Sequence, residues 1–253
     1  MKTYRHSGTL GDLIYSLSIV KKMEPGEFKI ALHNIENCVS QYGYRPDEVD
    51  PAHKGRFTEQ DVEWLRPLLE RQSYIQSVGT WSQGDPEPDV DLDKFRGTLF
   101  RGFEGNYILA YHLAFGMEFK VDDYLTPWIE VDPIKTKAMV VSRTARYRDP
   151  AADETWKKMA YDGILDRTGV FVGTPAEHED FVKLTEVKIP YYPVKDFLEL
   201  AGVVAGADLI LANQNFVYSL AMALCKQTVL ETIKIKPLQN NECFFPRTNC
   251  QYF

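Results

Sequence analysis

Residues 208–231 read DLILANQNFVYSLAMALCKQTVLE, and the alternation of apolar and polar runs along them decides the fold class. Leu209-Ile210-Leu211-Ala212 is a short apolar run between polar residues, the length and character of a strand buried inside a parallel sheet. Asn213-Gln214-Asn215 is a polar turn. Beyond it Val217, Leu220, Ala221 and Leu224 recur at helical spacing, small Ala221 and Ala223 permit close packing, and Thr228-Val229-Leu230 opens a further strand. The pattern is a strand, a turn, a helix and a strand. In open α/β sheets ligands lie outside the carboxyl ends of strands, where loop amides and helix N-termini face them. Asn213, Gln214 and Asn215 occupy such a place, although Asn is equally suited to capping the helix that follows.

Reading backward, residues 197–205 form a helix, 177–184 another, and 170–172 a strand that ends in Gly173-Thr174-Pro175. Residues 156–165 read as one helix and 138–141 as a strand. The strand at 138–141 runs into Ser142-Arg143-Thr144-Ala145-Arg146-Tyr147-Arg148, with three arginines in six residues. Strands and helices thus alternate from 138 onward, as expected of a parallel sheet covered by helices. Two prolines and a fresh strand mark residues 126–135 as the connection between halves.

The first half starts with a strand at 1–6, a loop Ser7-Gly8-Thr9-Leu10-Gly11-Asp12 and a helix from Leu13 to about Met23, stopped by Pro25-Gly26. The loop has GxxG spacing, not the GxGxxG of a dinucleotide site. Residues 28–32 and 74–78 read as strands, 58–71 as an amphipathic helix capped by Thr58 and disturbed by Pro67, 81–93 as an acidic loop, and 106–115 as a helix. Residues 33–54 are polar without a period.

The chain has 253 residues, a formal charge of −7, 44% apolar and 26% charged residues. Those values describe a globular chain and argue against one that coats nucleic acid. No window is long and apolar enough for a membrane span, and the first residues lack the uninterrupted apolar segment of a signal peptide, so a cytoplasmic protein is expected. Four cysteines form no CxxC pair and read as reduced thiols, with a Cys243–Cys250 bridge left open. Five scattered histidines give no metal-binding spacing, and no metal is expected.

Three segments carry a family resemblance. HSGTLGDLIYSLSIV (residues 6–20) resembles the opening of the ADP-heptose heptosyltransferases, a strand, a small-residue loop, Gly-Asp and a helix. Gly11 and Asp12 match the Gly-Asp, and Ser18 stands where the family often has Pro. VFVGTPAEHEDF (170–181) resembles the family's strand, Gly turn and Glu-containing helix start. ADLILANQNFVYSLAMALC (207–225) resembles its later turn and Ala-rich helix, with Gln214 in place of an Asp, Phe216 of a Gly and Ser219 of a His.

The resemblance implies a GT-B architecture, two Rossmann-like domains facing a central cleft: residues 1–130 on the acceptor side and 137–253 binding a nucleotide sugar. It implies inverting sugar transfer from a nucleotide-diphosphate sugar to an acceptor hydroxyl, the nucleotide sugar being a co-substrate with no separate cofactor. A glycan or other hydroxyl is the expected acceptor, and a modified nucleic-acid base a less favoured one. A non-catalytic nucleotide-sugar-binding protein of the same fold is the alternative, motivated by Gln214 and Ser219.

Asp12 is placed at the family's catalytic carboxylate, the base that would take the acceptor proton; from position alone it also reads as a helix N-cap. Gly8, Thr9, Gly11, Arg143, Thr144, Arg146, Gly173, Glu177, Asn213, Gln214, Asn215 and Ser219 are the expected donor-binding residues. The arginines could grip a diphosphate through charge-assisted bonds, Glu177 could accept from ribose hydroxyls, and Gly173 would allow close approach of the nucleotide. Trp128 and Tyr147 are stacking candidates that also read as ordinary buried aromatics.

Overall fold

A computed structural model describes residues 1–32, 57–82, 84–99, 103, 105–233 and 243–253. The aperiodic stretch at 33–54 and Cys38 lie outside the described residues. The chain divides into two compact units, one of Met1–Asp123 with Trp128–Glu130, the other of Tyr124–Pro127 with Val131–Phe253. Each is a parallel sheet with helices.

In the first unit β1 (Lys2–His6), β2 (Gly26–Ala31), β3 (Ile75–Trp81) and β4 (Val90–Asp91) form a sheet in the order β3-β2-β1-β4, with every pairing parallel. Helix α1 (Leu10–Val20) joins β1 to β2. It starts earlier than the apolar pattern suggests, because Thr9 caps it and Asp12 returns the bond as the third helical residue, a capping box. Asp12 is therefore neither a loop residue nor the N-cap. The same device, Thr58 with Asp61, starts α2 (Glu59–Glu70), which runs through Pro67. Then come α3 (Phe95–Leu99) and α4 (Tyr107–Ala114), the latter capped by Asn106.

Leu13, Ile14, Leu17, Val62, Leu65, Phe28 and Ile30 are fully or almost fully buried, so the stripes of α1 and α2 and the central strands share the core. Residues 81–93, expected to be wholly loop, contain the end of β3 and the two-residue strand β4. So short a strand leaves no periodicity to read.

The second unit begins with α5 (Asp122–Leu125), whose first residues belong to the first. Its sheet has the order β6-β5-β7-β8-β9, with β5 (Met139–Ser142), β6 (Gly169–Phe171), β7 (Leu209–Asn213), β8 (Thr228–Glu231) and β9 (Cys250–Tyr252) all parallel. Edge strand β9 was not apparent in the sequence, since the three residues Cys-Gln-Tyr are too few to establish an alternation. The helix expected over 156–165 is two pieces, α6 (Asp153–Tyr161) and α7 (Ile164–Thr168). Gly163, at φ 68°, breaks it by adopting the left-handed conformation that favours glycine.

The remaining helices are α8 (Pro175–Thr185), α9 (Phe197–Gly206) and α10 (Phe216–Ala223). The core under α6 and α8 gathers Met139, Val141, Trp156, Leu165, Phe171 and Phe181, with Trp156 edge-on to Phe181 at 5.3 Å. Cys225, Cys243 and Cys250 carry thiols and form no disulfide among the described residues.

Candidate functional site

In the first unit the carboxyl ends of β1 and β4 bring a polar network into the interior. Asp12, only 7% exposed, accepts at Oδ2 from the Arg96 guanidinium at 2.8 Å and from the Thr9 amide at 3.2 Å. Arg96 also faces Asp93, Nε to Oδ1 at 3.6 Å. Asp93 in turn accepts from the Ser7 amide and hydroxyl. Burial alone would raise the Asp93 carboxyl, but the Arg96 guanidinium and the two Ser7 bonds oppose it, and the group is held below the usual carboxylate range.

The Gly8 amide donates to His6 Nδ1 at 2.8 Å, so Nδ1 is an acceptor and the ring proton sits on Nε2. That nitrogen lies 2.8 Å from the Tyr111 hydroxyl, which donates to the Asp12 carbonyl at 3.0 Å. Burial first, then the charge of Asp12, pushes the Tyr111 phenol well above its ordinary value, so it remains a donor.

These bonds occupy the amides of Ser7, Gly8 and Thr9 with the chain's own Asp93, His6 and Asp12. The loop after β1 therefore presents a fixed carboxylate in place of a row of amides. Gly8 is required by close approach, since a Cβ there would meet the Arg96 guanidinium, the His6 ring and the Asp12 carboxylate. Gly11 is the second residue of α1. Trp128 is not a stacking surface: it is 3% exposed, its indole donates to the Ile14 carbonyl, and Tyr74 donates to its carbonyl.

In the second unit β5 and β7 are neighbours, so the loops after them emerge side by side. Asn213 stitches them: Oδ1 accepts from the Thr144 amide at 2.9 Å, and Nδ2 donates to the carbonyls of Thr144 and Tyr147 at 2.9 and 3.0 Å. Asn215 caps α10 through the Tyr218 amide and donates to Ser142 Oγ at 3.0 Å. The expected Thr144, Asn213 and Asn215 are thus brought together, with Gln214 half-buried between the two asparagines. Ser219 is buried one turn into α10, where its hydroxyl bonds back to the Asn215 carbonyl.

The three arginines separate. Arg143 is 1% exposed. Its guanidinium lies against Glu231, at 2.6 and 2.8 Å, and Asp153 at 2.6 Å. Glu231, at the end of β8, also accepts from the Asp149 amide and the Trp156 indole. Arg143 is thereby a buried tie inside the unit. Charge-assisted bonds to two carboxylates leave its positive charge already neutralised.

Arg146 is exposed and lies over the Tyr147 ring at 4.8 Å. Arg148 donates to the Thr144 carbonyl at 3.1 Å and approaches Asp180 at 3.5 Å. After β6, Gly173 has φ 148° and a Cβ there would meet the Glu177 carboxylate. Glu177 completes a capping box with Thr174 at the start of α8, accepting from its amide at 2.8 Å.

Arg96, Asp93, His6 and Tyr111 were not picked out from sequence. Their one signal is an Asp and an Arg three apart after an acidic loop, which reads equally as a solvated turn. Glu231 had a clearer sign, a lone carboxylate ending an otherwise apolar strand. Among the described residues no group of three or more His, Cys, Asp and Glu is placed to hold a metal ion, and no helix is long and apolar enough to cross a membrane.

The fold resembles that of several solved glycosyltransferases. A family 9 glycosyl transferase from Veillonella parvula superposes with a TM-score of 0.58 at 12% identity, spanning 99% of this chain and 84% of the other. The E. coli heptosyltransferase WaaC, solved with ADP, gives 0.52 at 13% identity over 100% and 92% of the two chains. The E. coli ADP-heptose LPS heptosyltransferase II gives 0.52 at 10% identity over 100% and 90%. At these identities the likeness is one of fold. No family profile matches the chain, and no curated protein matches it in sequence.

Proposed function

We propose that this chain is a nucleotide-sugar-dependent glycosyltransferase of GT-B type, inverting and independent of metal. The observation that carries the reading is Asp12, a carboxylate held at the start of the first helix in a fold that resembles, along the whole chain, that of an ADP-heptose LPS heptosyltransferase. In this reading the Asp12 carboxylate takes the proton of an acceptor hydroxyl. The hydroxyl oxygen forms the new bond to the anomeric carbon, and the bond from that carbon to the nucleoside diphosphate breaks with its electron pair leaving on the phosphate. The first unit serves the acceptor and the second the donor. Thr144, Arg146, Gly173, Glu177, Asn213, Gln214 and Asn215 are among the residues proposed to meet the donor. A cytoplasmic location belongs to the same proposal.

One observation favours the runner-up, a nucleotide-sugar-binding protein without turnover: the carboxylate proposed as base is already paired with Arg96 at 2.8 Å. Incubation with a panel of nucleotide sugars, scored for both binding and nucleotide release, separates the two. Release with glycan or DNA acceptors supports transfer and identifies the acceptor class. Binding with no release for any pair leaves the binding protein.

A further inference from the structure

We infer that Arg96 is the positioning residue for Asp12, fixing the orientation of its carboxylate and favouring its charged form; as a role in turnover this rests on the glycosyl-transfer reading. The argument is geometric. Both the Arg96 and the Thr9 bond fall on Oδ2 of Asp12, so turning the carboxylate about its Cβ–Cγ bond breaks both together. Arg96 cannot relax toward solvent, since its side chain is 4% exposed. It is held from behind by Asp93 at 3.6 Å, which Ser7 fixes in turn.

The backbone of Asp12 is fixed separately, through Tyr111, His6 and the Gly8 amide. Gly8 leaves the space in which the guanidinium and carboxylate meet. A helix cap alone would need only Thr9, as at Thr58–Asp61. The added buried guanidinium distinguishes Asp12 from an ordinary capping residue.

The test uses Arg96→Gln, Arg96→Lys and Gly8→Ala in the full chain, with two readouts. The first is the pH titration of the Asp12 carboxyl carbon by NMR, assigned with Asp12→Asn. Arg96→Gln removes the facing positive charge, so the titration is expected to move to higher pH, and Arg96→Lys is expected to restore it in part. Gly8→Ala, which removes no charge but displaces the pair, is expected to move it in the same direction.

The second readout is turnover. A displaced base lowers kcat by about a hundredfold while donor KM stays within about twofold, and the acid limb of the pH–rate profile follows the NMR shift. An Asp12 titration unchanged in Arg96→Gln and Gly8→Ala overturns the inference whether or not the wild type transfers sugar. So does a kcat that falls equally in Arg96→Gln and Arg96→Lys with no change in the pH profile. A shifted titration in a chain that never releases nucleotide upholds the Arg96–Asp12 coupling and overturns the transfer reading alone.

Discussion

Arg143 and Glu231 lie 88 residues apart in sequence and meet in the interior of the second unit, Nε to Oε2 at 2.6 Å and Nη2 to Oε1 at 2.8 Å. The pair ties the end of β5 to the end of β8 across β7. Glu231 is fully buried and accepts two further bonds. Truncating one partner leaves an uncompensated charge in the core. Glu231→Ala is therefore expected to destabilise the protein by about 3–5 kcal/mol, read as a lower denaturation midpoint in urea. A loss below about 1 kcal/mol would mean that the pair is no more than a surface-type contact.

Asp12→Asn is nearly isosteric and keeps an acceptor oxygen for the Thr9 amide. It removes the basicity. Nucleotide release is expected to fall to background with donor affinity unchanged, measured by single-turnover assay and calorimetry. Turnover near the wild-type rate would reduce Asp12 to a capping residue.

Arg146 is the arginine of its loop with its side chain exposed. Arg146→Ala is expected to weaken nucleoside-diphosphate binding about tenfold, since a charge-assisted bond is worth roughly 1.5–3 kcal/mol, and the loss should shrink as salt is added. Equal affinity at low salt would remove Arg146 from the site.

Asn213→Ala strips the Thr144 and Tyr147 carbonyls of a donor and the Thr144 amide of an acceptor. A stability loss of about 1–3 kcal/mol is expected for groups left unpaired. Faster amide exchange at residues 144–147 should accompany it. Unaltered exchange would show that the loop holds its shape without this stitch.

His112 supplies a pH dependence. Its Nδ1 donates to the Ile108 carbonyl at 2.7 Å, and Nε2 faces Asp123, which also pairs with Lys22. Burial, followed by the positive charge of Lys22, lowers its pKa despite the opposing effect of that carbonyl and of Asp123. The unfolded chain thus takes up the proton more readily than the folded one. This contribution is fully present above the unfolded value of about 6.5 and is lost progressively as pH falls from there toward the folded value. Replacing His112 by Phe should flatten the stability curve in that window; an unchanged slope between wild type and variant would contradict it.

The order of strands and helices was legible wherever a run of four or more apolar residues or a helical stripe was present, as at β7 and α10. Two capping residues were legible too: Thr58 and Asn215 each cap the helix that follows. What escaped was set by contact between distant segments. Strands β4 and β9 are defined by their neighbours, not by their own residues. The burial of Arg143 depends on Glu231, and that of Arg96 on Asp12, 84 residues away. A basic residue in a loop carries no mark in its own sequence of whether a carboxylate elsewhere will claim it.

The capping box at Thr9 and Asp12 has a consequence for timing. The oxygen that completes the start of α1 belongs to the same carboxylate proposed to receive the acceptor's proton. Each protonation event would then slacken the first turn of the helix at the moment of chemistry, and each deprotonation would rewind it. The reaction cycle and the helix end would keep a common clock, visible as exchange broadening at the amides of Thr9 and Leu10 only while substrate is being consumed.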